Sequence, residues 1–412
     1  MHRPSLAFGA ACVMMLAGCG ADDTPQVQSV KPNIVMIMAR DIGWSDYGFM
    51  GNKVVRTPNL DRLAETGAVF TLAHATSNQA ARSRITLMTG QYPDALDGSD
   101  RASDIAASGY DTLPQILGEH GYITLVGDDD AIETEAGEVS TKIADFVERG
   151  AAEPFFVFYA PPSPHDGLRN SAQGLSDYDG FRLTESAQRY YAGITRLDAA
   201  VGGIIETLEE TGELDNTLFV YSSGNGWQQP PRADYAGDEA RSELGGRQGK
   251  LSLFEAAFRT PIIFSWPGMV PIIENDYALV STVDIIPTAL ALAGIPSPRG
   301  LPGGDLIPIM EGRAASARTH LVGQAHVHRA DSTFRGDRVE GEARDLVRPQ
   351  DAFYARNHDW YYVWLPSTDE HALYDLTRDP RALANLADER PETVTELRGA
   401  IEAWLPDSAS SD

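Results

Sequence analysis

Five short apolar runs recur along the chain, at residues 34–39, 122–126, 155–160, 218–222 and 261–266, with helical patterns between them. None alternates apolar with polar residues, so each suits a strand buried on both faces. The clearest intervening helix is predicted over 185–211. There Tyr191, Ile194, Leu197, Val201, Ile204, Ile205 and Leu208 form one stripe, and Gly212 supplies a stop. This alternation predicts an α/β fold with a large mixed, mainly parallel sheet sandwiched by helices, its ligands bound beyond the carboxyl ends of the strands.

After about residue 315 the pattern changes to short aromatic-rich strands, predicted over 359–365 and 372–376, followed by a final helix. Pro391 suits the first turn of that helix, and Val394, Leu397, Ile401 and Trp404 give it one apolar face. The partner expected for that face is a small antiparallel sheet. Residues 329–350 are charged and without periodicity, which reads as an exposed loop. The 412 residues thus divide into a main domain over 32–315 and a small C-terminal subdomain over 316–412.

The N-terminus reads as an export signal. Arg3, an apolar stretch over 6–16 and then small residues fill 1–18, too short to span a membrane. Leu16-Ala17-Gly18-Cys19 resembles the lipobox of bacterial lipoproteins, in which the Cys is acylated after cleavage. Residues 19–31 then form a polar tether, and Gly20 in place of Asp points to the outer membrane. The lipid on Cys19 is the one membrane contact expected. Cys12 lies in the signal, so the mature body holds no thiol for a disulfide or a thiolate metal site. A net charge of −26 argues against nucleic acid as a partner.

Residues 77–93, Ser-Asn-Gln-Ala-Ala-Arg-Ser-Arg-Ile-Thr-Leu-Met-Thr-Gly-Gln-Tyr-Pro, resemble the signature of the sulfatase family, within the alkaline phosphatase superfamily. The stretches beginning at Lys31 (Lys-Pro-Asn-Ile-Val-Met-Ile-Met-Ala-Arg-Asp-Ile-Gly-Trp), Thr57 (Thr-Pro-Asn-Leu-Asp-Arg-Leu-Ala) and Leu373 (Leu-Tyr-Asp-Leu-Thr-Arg-Asp-Pro) match in the family's order. The family oxidises a signature Cys or Ser to formylglycine, whose hydrate attacks the sulfate ester. Ala80 holds that position here, and a methyl group cannot become an aldehyde. Arg82 stands where the modifying enzyme expects proline.

The resemblance also implies a calcium or magnesium ion held by an Asp-Asp pair, an Asp-Asn pair and the formylglycine. The corresponding residues are Arg40-Asp41 and Gly224-Asn225, which leave Asp41 and Asn225 as remnants and too few oxygens for a hard divalent cation. No cofactor is therefore expected. The Arg40 guanidinium is expected either to fill the cation's place and pair with Asp41 or to turn to solvent. Asp128 and Asp130 replace a Lys and a His that hold and protonate the ester, lying either in a solvated turn or paired inside the pocket. Arg84, His165 and Lys250 match family positions that bind an anion, although Arg84 also suits a pair with a nearby acid and a His among prolines suits a structural role. His326 and His328 form a His-x-His pair read as residues on one face of a strand.

The expected function is a catalytically inactive, sulfatase-like lipoprotein that binds a sulfated or other anionic glycan, or a small ester. The alternative is a sulfuric or phosphoric ester hydrolase working without formylglycine, with His165 as acid or base and Lys250, Arg84 and Arg40 on the anion.

Overall fold

The computed structural model describes residues 31–93, 109–125, 136–149, 153–164, 174–227, 249–250, 252–327 and 350–405. The export signal, Cys19, Asp128, Asp130, His165, His328 and nearly all of the 329–350 stretch lie outside the described residues. Along the chain run β1 (Asn33–Ala39), α1 (Pro58–Glu65), β2 (Ala68–Phe70), β3 (Ala73–His74), α2 (Ala80–Thr89), α3 (Leu113–Glu119), β4 (Ile123–Leu125), α4 (Ala136–Glu148), β5 (Phe155–Tyr159), α5 (Glu185–Glu210), β6 (Thr217–Ser223), β7 (Ile262–Ser265), β8 (Ile273–Asn275), β9 (Val280–Ser281), α6 (Ile285–Leu292), α7 (Ile307–Met310), β10 (Leu321–Val327), β11 (Gln350–Arg356), β12 (Trp360–Leu365), β13 (Glu370–Asp375) and α8 (Pro391–Trp404).

The large sheet has the order β4-β5-β1-β6-β7-β2-β8. Strands β4, β5, β1 and β6 run parallel, and β7 runs antiparallel to both β6 and β2. Successive side chains of a strand point to opposite faces, and here both faces are apolar. Ile34, Met36, Met38, Phe156, Phe158, Leu218 and Val220 enter one core with α2, α3 and α6. Val35, Ile37, Val157, Tyr159, Phe219 and Tyr221 enter the other with α1, α4 and α5. The unbroken apolar runs of β1, β5 and β6 thus express a double-sided burial that a one-faced strand never meets.

One expected strand departs from this rule. β4 is one of the two edge strands, and Ile123 is 38% exposed, so only one side of it has a neighbouring strand. Strands β2 and β8 were not foreseen, because three residues are too few to show a period.

The small sheet has the order β10-β11-β12-β13, with each neighbouring pair antiparallel. One face, with Tyr354, Tyr361, Val363 and Tyr374, packs on Leu253, Phe258 and Leu279. The other, with Phe353, Tyr362, Trp364 and Leu373, receives Leu397 and Ile401 of α8, while Val394 and Trp404 pack around them. His326 lies in β10 opposite Asp351.

Helix α5 fixes the site from behind. A Cβ added at Gly193 would meet Pro164 O at 2.6 Å and Pro164 Cα at 2.8 Å, so the helix presses on the loop after β5 and only glycine allows the approach. At Gly203 the obstacle is the Ser140 hydroxyl at 2.8 Å, a side chain that can swing away. Both substitutions by Ala gain helix propensity of about 1 kcal/mol. Gly193→Ala is expected to lose about 1–3 kcal/mol net through overpacking, while Gly203→Ala stays near wild type or rises slightly. Urea unfolding of the two variants checks this, and equal stabilities would contradict the backbone contact.

Candidate functional site

Three adjacent strands, β5, β1 and β6, end side by side, and each delivers one residue to the same point. Beyond β1 comes Asp41, beyond β6 Asn225 and beyond β5 Ser163. The Gly224 N–H donates to Ala39 O at 2.8 Å, carrying the β1–β6 pairing past the strand ends. Ser163 Oγ donates to Asp41 Oδ2 at 2.7 Å, and Asn225 Nδ2 donates to Asp41 Oδ1 at 2.8 Å. The fourth partner comes from far along the chain, as Lys250 Nζ stands 2.7 Å from Asp41 Oδ1. The loop after β1 is pinned by Tyr190, whose hydroxyl accepts from Gly43 N at 2.9 Å and donates to the buried Asp46 at 2.8 Å.

Asp41 is 2% exposed, and burial by itself raises a carboxyl's pKa. The Lys250 ammonium, with the hydrogen bonds from Ser163 and Asn225, outweighs that effect and holds the group below the usual carboxylate range. Asp41 also has φ of 62°, the left-handed region, which costs an L-residue about 1–2 kcal/mol. Hydrogen bonds to a charged group contribute about 1.5–3 kcal/mol each, so the network more than offsets the strained backbone.

The cation seen on Asp41 is Lys250; pairing with Asp41 is one of the two placements expected for Arg40. Arg40 is half-buried and has a partner of its own.

The donor set does not suit a divalent ion. A hard cation takes six or more oxygens, but both Asp41 oxygens already accept from N–H or O–H groups. The Asn225 amide nitrogen lies between Asp41 Oδ1 at 2.8 Å and Gly226 O at 2.7 Å. Turning its oxygen toward Asp41 would set three oxygens against one another. Among the described residues no cluster of three His, Cys, Asp or Glu side chains could hold a metal.

Ala80 is the first residue of α2, and Gln79 before it is extended and gives no side-chain cap. Gly224 packs against it. A Cβ at position 224 would stand 2.2 Å from Met38 Cε, 3.3 Å from Ala80 Cα and 3.5 Å from Ala80 Cβ, so a carboxylate there requires Met38 to move. Arg82 and Arg84 are half-buried in the first turns of the same helix, and Ser83 is buried with its hydroxyl on Ser77 O at 3.2 Å. Sequence reasoning missed Ser163. Its signal was there: a small hydroxyl residue between prolines, directly beyond a buried strand.

Also missed was the buried cluster that anchors the Lys250 segment. Arg356 Nε of β11 donates to Glu255 Oε1 at 2.9 Å, and His74 of β3 lies 3.3 Å from the same oxygen. Burial would raise the Glu255 pKa, but the Arg356 guanidinium and His74 hold it well below the carboxylate range. Nearby, the Arg259 guanidinium stacks over Trp44 at 3.7 Å from the ring centre. The Tyr361 hydroxyl donates to Leu253 O at 2.9 Å and that of Tyr354 to Ala75 O at 3.2 Å.

A mixed sheet whose parallel strands bring the site to their carboxyl ends, joined to a small antiparallel sheet with one helix, defines the sulfatase and alkaline phosphatase-like class of α/β fold. The sequence profile of the sulfatase family matches residues 32–132 and 133–295, and the chain belongs to that family. It is 27% identical to human N-acetylgalactosamine-6-sulfatase, over 72% of this chain and 68% of that one. The structure of Ps i-CgsB in complex with k-i-k-neocarrahexaose superposes with a TM-score of 0.70 at 21% identity, covering 91% of this chain and 93% of that one. A second structure, holding its substrate D-glucosamine-2-N,6-O-disulfate, gives a TM-score of 0.67 at 18% identity over 91% and 97%. At these identities the two structures establish the fold.

His74 generates a pH prediction. Burial, its largest influence, pushes the imidazole down to about 4 against the pull of Glu255. His74 Nδ1 is buried without a hydrogen-bond partner, so a second N–H there would find no acceptor. The unfolded chain takes up this proton near the ordinary value of about 6.5. His74 therefore supports stability fully above that pH, and the contribution, on the order of 3 kcal/mol, is lost as pH falls toward about 4. Urea midpoints of wild type and His74→Gln at about pH 7.5 and about pH 5 are expected to show the steeper decline in wild type. Parallel declines would show that His74 is not buried neutral.

Proposed function

We propose that this sulfatase-family protein is a catalytically inactive member that binds a sulfated glycan at the strand-end site. The observation that carries the reading is Ala80 at the start of α2, packed against Gly224. The nucleophile position has no reactive atom, and the neighbouring position has no side chain. No catalytic ion is expected, because Asp41 is committed to Lys250, Asn225 and Ser163. What supports an anionic ligand is the helix N-terminus at Ala80, with Arg82 and Arg84 in its first turns and no acid there. The related structures hold a neocarrahexaose and a glucosamine disulfate, which favours a sugar as the organic part. With a net charge of −26, attraction for such a ligand has to be local, so binding is expected to need these arginines in place.

The body from about Ala21 onward is expected to hydrolyse aryl sulfates no faster than buffer, and peptide mass spectrometry is expected to find unmodified alanine at position 80. Titration calorimetry with a sulfated and a desulfated oligosaccharide is expected to register the first alone, with Arg84→Ala weakening it by roughly tenfold or more. Metal-independent turnover abolished by His165→Ala would replace this reading with the ester-hydrolase alternative.

The reading extends to location: an outer-membrane lipoprotein held by an acyl chain on Cys19. Cys19→Ser is expected to move the protein from the membrane fraction to the soluble fraction. Retention of the variant on membranes would count against the anchor.

A further inference from the structure

We infer that Lys250 is the resident cation of this site, a covalently attached ammonium standing in for the divalent ion that a sulfatase fold places beside Asp41. The distance is the first support: Lys250 Nζ stands 2.7 Å from Asp41 Oδ1, a contact that no ordinary surface pairing explains when the carboxylate is 2% exposed. Delivery is the second. The Lys250 N–H donates to Trp227 O at 2.8 Å, and a Cβ at Gly249 would fall 2.2 Å from that same oxygen. The backbone is thus seated against Trp227 in a way that only glycine permits at 249. Five residues on, Glu255 is clamped by Arg356, so the segment is held at both ends.

The remaining support comes from what surrounds the ammonium. Asn225 turns its amide nitrogen toward Asp41, an arrangement suited to a carboxylate that already has its positive charge and unsuited to a metal that needs the amide oxygen. At position 224 a Cβ would stand 2.2 Å from Met38 Cε and 3.3 Å from Ala80 Cα, so a second carboxylate has no room there unless Met38 moves. Among the described residues the Asp41 carboxylate is then balanced by the Lys250 ammonium. Lys250 is consequently a positioning residue for the loop after β1, and an incoming anion has to be met by other groups.

The test is a double-mutant cycle in thermal stability on the body from about Ala21, a readout independent of glycan binding, so its failure and that of the proposed function are separable. Wild type is expected to melt at the same temperature with millimolar calcium or with chelator, since an ion bound only to the native state would raise it. Lys250→Met is expected to lower the melting temperature by on the order of 5 °C or more, because it strands a buried carboxylate. Adding Asp41→Asn to that variant is expected to recover most of the loss, because the amide needs no cation. Gly249→Ala, which changes no charge, is expected to resemble Lys250→Met by displacing the ammonium. Additive effects of the two substitutions, a double variant that fails to fold along with the single one, or a calcium-dependent rise in wild type would each overturn the inference.

Discussion

A carboxylate enclosed as Asp41 is has to be given a positive partner, and meeting that requirement organises the site. Its own position is set by the end of β1 and a left-handed backbone turn. The groups that satisfy it come from the ends of β5 and β6 and from a segment more than two hundred residues along the chain. Each of these separately has other neighbours. Only at the carboxylate do they converge, so this interaction couples the centre of the large sheet to the segment on which the small sheet rests.

The Lys250 segment then meets the opposite requirement. At Glu255 it supplies the anion, and the small sheet supplies Arg356 as the cation. Apolar burial between Tyr354, Tyr361, Phe258 and Leu253 brings the two parts together without fixing their register, since it is non-directional. The Glu255–Arg356 pair and the Tyr354 and Tyr361 hydroxyl bonds do have direction. Buried ion pairs add little net stability compared with well-packed apolar groups, yet losing one partner typically costs about 3–5 kcal/mol. Such pairs therefore penalise misplacement more than they reward assembly, and so hold Lys250 within reach of Asp41.

What the sequence disclosed follows from this division. Strands β1, β5 and β6 were legible because burial on both faces forces an unbroken apolar run, and α5 and α8 because a one-sided helix forces a stripe. β2 and β8 left no period in three residues, and the edge position of β4 depends on which strands find each other, a non-local fact. At the site, Ala80, Asp41, Asn225 and Lys250 could be picked out by resemblance to the family signature. Their partners could not. The pairing of Asp41 with Lys250 depends on where a segment more than two hundred residues away is seated, and Ser163, Glu255, Arg356 and His74 likewise enter through contacts between distant segments. A charge count over adjacent residues therefore could not single out Lys250.

Replacing a bound divalent ion by a lysine has a physical limit that bears on what the site can do. An ammonium carries one charge and three N–H donors, and it neutralises a carboxylate as well as an ion does. It has no open coordination position, so it cannot bind the oxygen of a reacting group and draw charge from it as a Lewis acid does. It also cannot be lost to a chelator, because the chain itself holds it. If Lys250 is the resident cation as inferred, the site keeps its electrostatic balance at Asp41 while offering no polarising centre, which agrees with the proposed inactivity at Ala80. The two substitutions are consistent with each other. On the proposed reading no ester is turned over at Ala80, and the fold then needs from its cation only that it hold the loop after β1 in place.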